Sequence, residues 1–598
     1  MKSWSYKSLY NCEVLLQESA RLFATLDDCA TLKQARQRLR DTVSRIRDEA
    51  LSGKLGLPSQ ELIRVRDCSR ALLSVMSRRS DERSGFSATL ALWDIACGRP
   101  RPDLRTGFFA EMVNWIRGLE GRAEFQYVGE VRIDHNLTGR SAAVVRSAEL
   151  DRLWEIVESA TVRSPSGLSD EAQVLRGVRK EHILAQLGAT EDNWNDWNWH
   201  VENRVVDPET LARLASVSDE EVDAIEKALK AKLPFAITPY YVSLMDDSSG
   251  DRDRAIRAQV IPPHDYVDWM TKHRGALEHS CDFMLESDTS PIDLITRRYP
   301  AIVILKPYIT CPQICVYCQR NWEIDQSMAP EAMAADEKVE AAIQWIGQHP
   351  TVREVLVTGG DPLVLSDGKL QDLMSRLAAL PNVELIRLGT RTPVTLPMRI
   401  TEELAAMLGS FRELGRRDVA VVTHIEHPYE VTMDVARAVD RLKRNGISVY
   451  NQHVYTFFVS RRMESAMLRM LIRKIGIDPY YTFAPKGKEE TASYRVPLAR
   501  IFQEQKEEAR LIPGLRRTDE AVYNIPGLGK NYLRAGQDRD LVALMPDGSR
   551  VYEFHPWEKN LVECETLLTT DVPVLDYLRR LAEIGEDPND YDSIWFYF

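Results

Sequence analysis

Three cysteines stand close enough along the chain to act on one object: Cys311, Cys315 and Cys318, in T-C-P-Q-I-C-V-Y-C-Q-R. Thiolates grouped in this way do metal or redox chemistry. Three can hold three irons of a [4Fe–4S] cubane, leaving the fourth iron open to a substrate, whereas a four-cysteine cluster is closed. The competing reading is structural zinc, which favours paired C-x2-C elements and a fourth nearby ligand; neither is evident. The other six cysteines, at 12, 29, 68, 97, 281 and 564, have no metal-ligand spacing and read as ordinary thiols. An odd count in a large chain is no disulfide framework. A second group, VTGGDPL at 357–363, ends an apolar run with Gly359, Gly360 and Asp361. Glycines there let the backbone approach a ligand closely.

These loops need a scaffold, and from residue 301 the pattern supplies one. Short apolar runs at 301–309, 353–359, 383–391, 418–426, 448–455 and 479–484 alternate with amphipathic segments such as EKVEAAIQWIGQH and MDVARAVDRLKRNG. Six βα units recur, about one crossover unit apart after a longer first interval. Parallel strands need helical crossovers, so the units form either an open doubly wound α/β sheet or a partial barrel. In both, chemistry belongs at the carboxyl ends of the strands, and both motifs follow a strand there. Before the units the chain reads as helical. Residues 1–165 form one expected domain, ending in the Ser/Pro/Gly cluster 161–170. A helical segment at 166–290 precedes the units at 291–510, and a C-terminal segment spans 511–598.

The C-x3-C-x2-C spacing, with Tyr317 before the last cysteine, resembles the signature of the radical S-adenosylmethionine superfamily, in which the open iron chelates the methionine moiety and the aromatic packs near adenine. TGGDPL is similar to that superfamily's segment for the methionine amino group, assigning Gly359, Gly360 and Asp361 to the cofactor. More closely, the chain resembles the lysine 2,3-aminomutase family over about residues 190–555. The motifs that carry the likeness are WNDWNWHVENRV, ITPYYVSLMD, RRYP, LGTRTPVTLPMRIT, THIEHPYEVT, NQHV and NIPGLGKNYL. The resemblance implies a partial (βα)6 barrel with a helical N-terminal extension, S-adenosylmethionine, and pyridoxal phosphate as a further cofactor. It makes Lys530, in PGLGK, the catalytic lysine that holds pyridoxal phosphate. It also makes Arg298, in RRYP, the partner of that cofactor's phosphate, and Arg320 the grip on the substrate α-carboxylate.

Family members that act on lysine read its distal ammonium with two aspartates. Here Lys486 and Asn524 occupy those positions, an exchange that repels an ammonium and attracts a carboxylate. The pair is similar to the glutamate 2,3-aminomutase branch and implies interconversion of L-glutamate and β-glutamate. Turnover of lysine or another amino acid, and a related radical dehydrogenase of a natural-product pathway, are the alternatives. An external electron donor such as flavodoxin or ferredoxin is implied, and the small-molecule partner is an amino acid. The family's cysteine-rich C-terminal segment is missing, so its homo-oligomeric arrangement does not carry over. Composition agrees with an ordinary globular enzyme: 598 residues, 44% apolar and 28% charged. A formal net charge of -12 argues against nucleic acid as a partner. No apolar run approaches the roughly 18 residues of a bilayer span, and no signal-peptide core opens the chain, so a cytoplasmic location away from membranes is expected.

Overall fold

The computed structural model describes residues 9–24, 26–53, 55–123, 134, 136–246, 252–273, 281–485, 489–526, 529–536, 539–555 and 565–598. Lys486 and Cys564 lie outside the described residues. Contacts divide the chain into two compact units. One holds residues 157–495 and 512–529; the other holds 1–156, 496–511 and 530–598.

The first unit contains the repeating pattern. A short strand β1 (Ile295–Thr296) pairs antiparallel with β2 (Ile302–Tyr308). From β2 the sheet continues in parallel through β3 (Glu354–Gly359), β4 (Leu385–Gly389), β5 (Asp418–Thr423), β6 (Ser448–Val454), β7 (Ile477–Phe483) and β8 (Glu520–Ile525), each beside its predecessor. Helices Asp336–Gln348, Asp367–Ala378, Glu402–Ser410, Met433–Arg444 and Glu464–Lys474 make the first five crossovers. Sequential parallel pairing with a helix in each return is the partial-barrel solution of the two that spacing allowed.

Alternation along the strands sorts the side chains. Val303, Leu305, Val355, Val357, Ile386, Leu388, Val419, Val421 and Val449 pack outward in the core shared with the crossover helices. The intervening residues face inward; Ile304, Leu356, Thr358, Gly389, Val422 and Gln452 line a cavity. A one-residue slip of any strand would exchange the two sets, so register is strongly specified. The helices end where the chemistry of the chain says they should: Thr401 and Thr432 accept hydrogen bonds from the amides of Leu404 and Val435 and so cap the helices that follow.

The second unit draws on both ends of the chain. Helices Ser59–Val75 and Thr106–Leu119 present apolar faces that need a partner, and the far end of the chain provides it. Strands β10 (Arg539–Leu544), β11 (Arg550–Phe554) and β12 (Leu567–Thr570) form an antiparallel sheet. Buried Arg550 donates to both carboxylate oxygens of buried Glu111 at 2.9 and 3.0 Å. Trp115 Nε1 donates to the carbonyl of Trp595 at 3.1 Å. Residues 1–156 thus fall in one unit with 496–511 and 530–598, while 157–165 and 512–529 fall with the barrel. Lys530, in the short strand β9 (Gly529–Tyr532), belongs to this unit, whereas Asn524, on β8, belongs to the barrel unit.

Candidate active site

The cysteine loop leaves β2 and is held from three sides. Backbone amides of Gly360 and Asp361, at the end of β3, donate to the carbonyls of Tyr308 and Thr310 at 2.7 and 2.9 Å. Ser327 Oγ donates to the Cys311 carbonyl at 2.8 Å. Segments ahead of the barrel take the remainder, with the amides of Ile314 and Val316 donating to the carbonyls of Ala236 and Gln259, each at 2.9 Å. Asn321, buried, ties the loop back by donating to the carbonyls of Cys315 and Val316 at 3.2 and 3.0 Å. So loop geometry is set by backbone bonds that need no bound group.

All three cysteines line one cavity of about 310 Å³ at the carboxyl ends of the strands. Its wall also includes Tyr317, Arg320, Gly359, Gly360, Asp361, Arg391, His424 and Asn524. The structure thus brings together every expected site residue it describes except Arg298 and Lys530.

Gly359 and Gly360 also meet a demand made by the chain itself. A Cβ on Gly360 would overlap the backbone of Thr310, with the carbonyl carbon at 2.6 Å, and Gly359 has φ +112° with the Tyr308 oxygen 2.8 Å from its missing Cβ. The cysteine loop by itself already demands their absence of side chain. Asp361 likewise faces protein. Its Oδ1 accepts from Thr390 Oγ1 at 2.5 Å and the Leu363 amide at 3.1 Å, and its Oδ2 from the amides of Arg391 and Thr392 at 2.9 and 3.0 Å. Burial raises this carboxyl above its ordinary range, while those donors pull the other way.

Arg391, which the sequence reading passed over inside LGTRTPV, is the hub of the wall. Its Nη1 donates to Cys315 Sγ at 2.8 Å, its Nη2 to Glu430 Oε1 at 2.6 Å and to Gln259, and its Nε to the His424 carbonyl at 3.3 Å. An arginine after a strand reads as a solvated charge; only the convergence of β3, β4 and β5 shows otherwise. Tyr317 donates to Gln259 at 3.1 Å and to Glu426 at 3.3 Å. Burial, reinforced by Glu430, pushes Glu426 up to about 8. Burial together with Arg391 brings His424 down to about 4.

Arg320 is not waiting empty. Its Nη2 and Nε donate to Glu286 at 2.6 and 3.4 Å, and Lys306 Nζ reaches the same carboxylate at 3.1 Å. Arg298 donates through Nη2 to the Met284 carbonyl, and its Nε is buried without a hydrogen-bond partner among the described residues. That leaves a donor suited to an oxyanion from outside the chain.

Burial pushes the Cys311 and Cys315 thiols up; Asp361 adds to the first, and Arg391 opposes the second. Metal binding would replace those protons. Among the described residues no three His, Cys, Asp or Glu side chains converge on a single-ion site. Zinc needs ligands about 2.0–2.3 Å from one point, whereas thiolates on separate corners of a cubane need not converge. Gln313, between Cys311 and Cys315, is 4% exposed, and both its amide atoms lack partners among the described residues. A buried amide left in that state marks a shell completed by another group, so the loop fits a cluster.

Comparison with known proteins agrees. Residues 305–468 match the Radical SAM superfamily. The chain is 40% identical to an uncharacterized KamA family protein of Methanocaldococcus jannaschii, over 99% of this chain and 98% of that one, so the N-terminal helical region has a counterpart there. It is 30% identical to the glutamate 2,3-aminomutase of Clostridioides difficile over 74% of this chain and 98% of that protein. It is 35% identical to the L-lysine 2,3-aminomutase of Fusobacterium nucleatum over 55% and 72%. No helix among the described residues is long and apolar enough to cross a membrane. The chain belongs to the KamA family of radical S-adenosylmethionine aminomutases, and is with them an isomerase that works with a [4Fe–4S] cluster and S-adenosylmethionine.

Proposed function

We propose that the protein is an amino acid 2,3-aminomutase whose substrate is acidic, L-glutamate being converted to β-glutamate. The observation that carries this is the charge of the cavity wall. Among its described lining residues stand two arginines, 320 and 391, and one carboxylate, Asp361, whose oxygens already accept four hydrogen bonds. Asn524, a neutral amide, lines the same wall. A diamine's second ammonium finds no free carboxylate in that set, while a second carboxylate finds cations and amide donors. The identity to a glutamate 2,3-aminomutase along nearly all of that protein supports the same choice.

When bound, the cluster with S-adenosylmethionine supplies the radical that removes a substrate hydrogen, and pyridoxal phosphate supplies the π-system through which nitrogen migrates. The chain's residues do the rest. Cys311, Cys315 and Cys318 hold the cluster, and Arg391 donates to one of its sulfur ligands. Tyr317 and Asn524 bound the space the reactants share, and Lys530 is the residue its motif assigns to pyridoxal phosphate. The apolar strand residues Ile304, Leu356 and Val422 keep that space dry, which matters because carbon radicals are quenched by stray hydrogen donors.

The test is to incubate the reconstituted, reduced protein with S-adenosylmethionine, pyridoxal phosphate and a panel of L-amino acids and to assay β-amino products. β-Glutamate is the expected product. Turnover of lysine with glutamate untouched would overturn the assignment.

A further inference from the structure

Lys306 is a cation in an apolar strand, V-I-L-K-P-Y, two residues after Ile304, which lines the cavity, and at the register shift between Leu305 and Tyr308. It stands nearer than Ile304 to the carboxyl end of the strand, where the cysteine loop begins. Its side chain is only 15% exposed, and Glu286 holds its ammonium at 3.1 Å. The same carboxylate holds Arg320, which does line the cavity, at 2.6 Å. Gln319 Nε2 also donates to it at 3.3 Å.

We propose that Lys306 is a further substrate-binding residue, the second cation of a corner in which Lys306 and Arg320, braced by Glu286, receive a carboxylate of the substrate. The inference rests on the amino acid reading given above and extends it to a residue that no motif singles out. Three features support it. First, two largely enclosed cations, with side chains 15% and 16% exposed, share the carboxylate of Glu286, which brings them side by side next to the cavity that Arg320 lines. Second, Glu286 engages Arg320 through Nε and Nη2, leaving Nη1, while an ammonium with three donors spends one on Glu286. Donors remain on both cations for a planar anion. Third, Glu286 is fixed from behind. Its amide and that of Ser287 donate to Asp282 at 2.8 and 3.1 Å, and Leu285 before it adopts φ 51°, a backbone state that a bulky residue takes only under constraint. A brace held in this way keeps the two cations side by side.

Were the triad only a packing device, replacing the lysine would alter stability and leave ligand affinity alone. The full-length protein, loaded with cluster, S-adenosylmethionine and pyridoxal phosphate but without reductant, is titrated calorimetrically with L-glutamate; iron content and β-glutamate formation under reduction are measured separately. Lys306→Met is expected to bind L-glutamate about tenfold or more weakly, the scale of a lost charge-assisted hydrogen bond, at unchanged iron content. Lys306→Arg should restore most of the affinity. Should the methionine variant lose its iron, Lys306→Gln, which keeps a donor for Glu286, carries the comparison. Affinity within about twofold of the parent protein in the variants that retain iron overturns the proposal. A parent protein that binds L-glutamate through Lys306 yet forms no β-glutamate refutes the aminomutase assignment and upholds this one, and one that binds no L-amino acid refutes both.

Discussion

Behind Tyr317 the chain places titratable groups that are mostly uncharged at neutral pH. Glu426, 2% exposed, accepts from the Val454 amide at 2.6 Å and from Tyr317, with Glu430 close by. Desolvation and that neighbouring acid raise its carboxyl from 4.5 to about 8, so it is mostly protonated at pH 7. His424 at about 4 and His453 at about 3 are neutral there, each lowered first by burial and then by an arginine. The charges that remain nearby are held in buried ion pairs, Arg391 with Glu430 and Arg469 with Asp519. The consequence for stability has a definite sign. A carboxyl that binds its proton more tightly folded than unfolded stabilises the fold at and below pH 4.5, and that contribution is lost as pH rises toward 8. Glu426→Gln keeps an oxygen for the Val454 amide and removes the titration. Its unfolding free energy, followed by denaturant titration, should match the parent's near pH 5 and exceed it increasingly up to pH 8, by roughly a few kcal/mol at most. An offset that does not change with pH would show that Glu426 is ionised in the fold.

At the level of elements, the site exists because the loop after β2 and the loop after β3 are pressed backbone to backbone, and Gly360 is where they touch. Gly360→Ala forces a methyl group into Thr310, so the cysteine loop must shift. Iron and sulfide per chain after reconstitution should fall at least severalfold, as expected when ligand geometry is displaced. Gly368→Ala is the matched comparison, because it lies in the helix Asp367–Ala378 with nothing within 4 Å of its Cβ position. That change should load iron normally and gain about 0.5–1 kcal/mol of stability. Equal iron in both variants would mean that the glycine pair matters for something other than the loop. The strands and helices of this layout were legible because period 2 and period 3.6 are written in apolar residues; the run expected at 418–426 begins where β5 does, at Asp418. β8 was missed. No simple helix connects it to β7, since the intervening chain passes through residues 496–511 of the other unit, and its pattern, E-A-V-Y-N-I, is short. Cys311, Cys315 and Cys318 were legible because their spacing is itself the signal. Arg391, Lys306 and Glu286 were not, because a charge beside a strand looks solvated until the fold shows which strand ends converge on it.

Over the whole molecule, the division into units separates two sets of residues that the proposed function uses. The three cysteines, Arg320, Arg391 and Asn524 lie in the barrel unit, and Lys530 lies in the unit built from both ends of the chain. That second unit depends on pairs formed across long sequence separations, with Arg550 set between Glu111 and the rings of Trp115 and Phe598 at 5.3 Å each. Removing one partner of a buried ion pair leaves the other uncompensated, at about 3–5 kcal/mol. Arg550→Met should therefore destabilise this unit by that order, and adding Glu111→Leu should recover much of the loss, because an apolar pair of similar volume replaces a charge with no partner. The two units also give the variant a signature that a general loss of stability would lack. Iron bound through Cys311, Cys315 and Cys318 should persist in Arg550→Met at temperatures where pyridoxal phosphate, read by its bound absorbance and assigned to Lys530, is already released. The double variant should bring the two losses back together. Simultaneous loss of iron and pyridoxal phosphate in the single variant would show that the units unfold as one, and that placing Lys530 in a separately stabilised part of the chain has no energetic meaning.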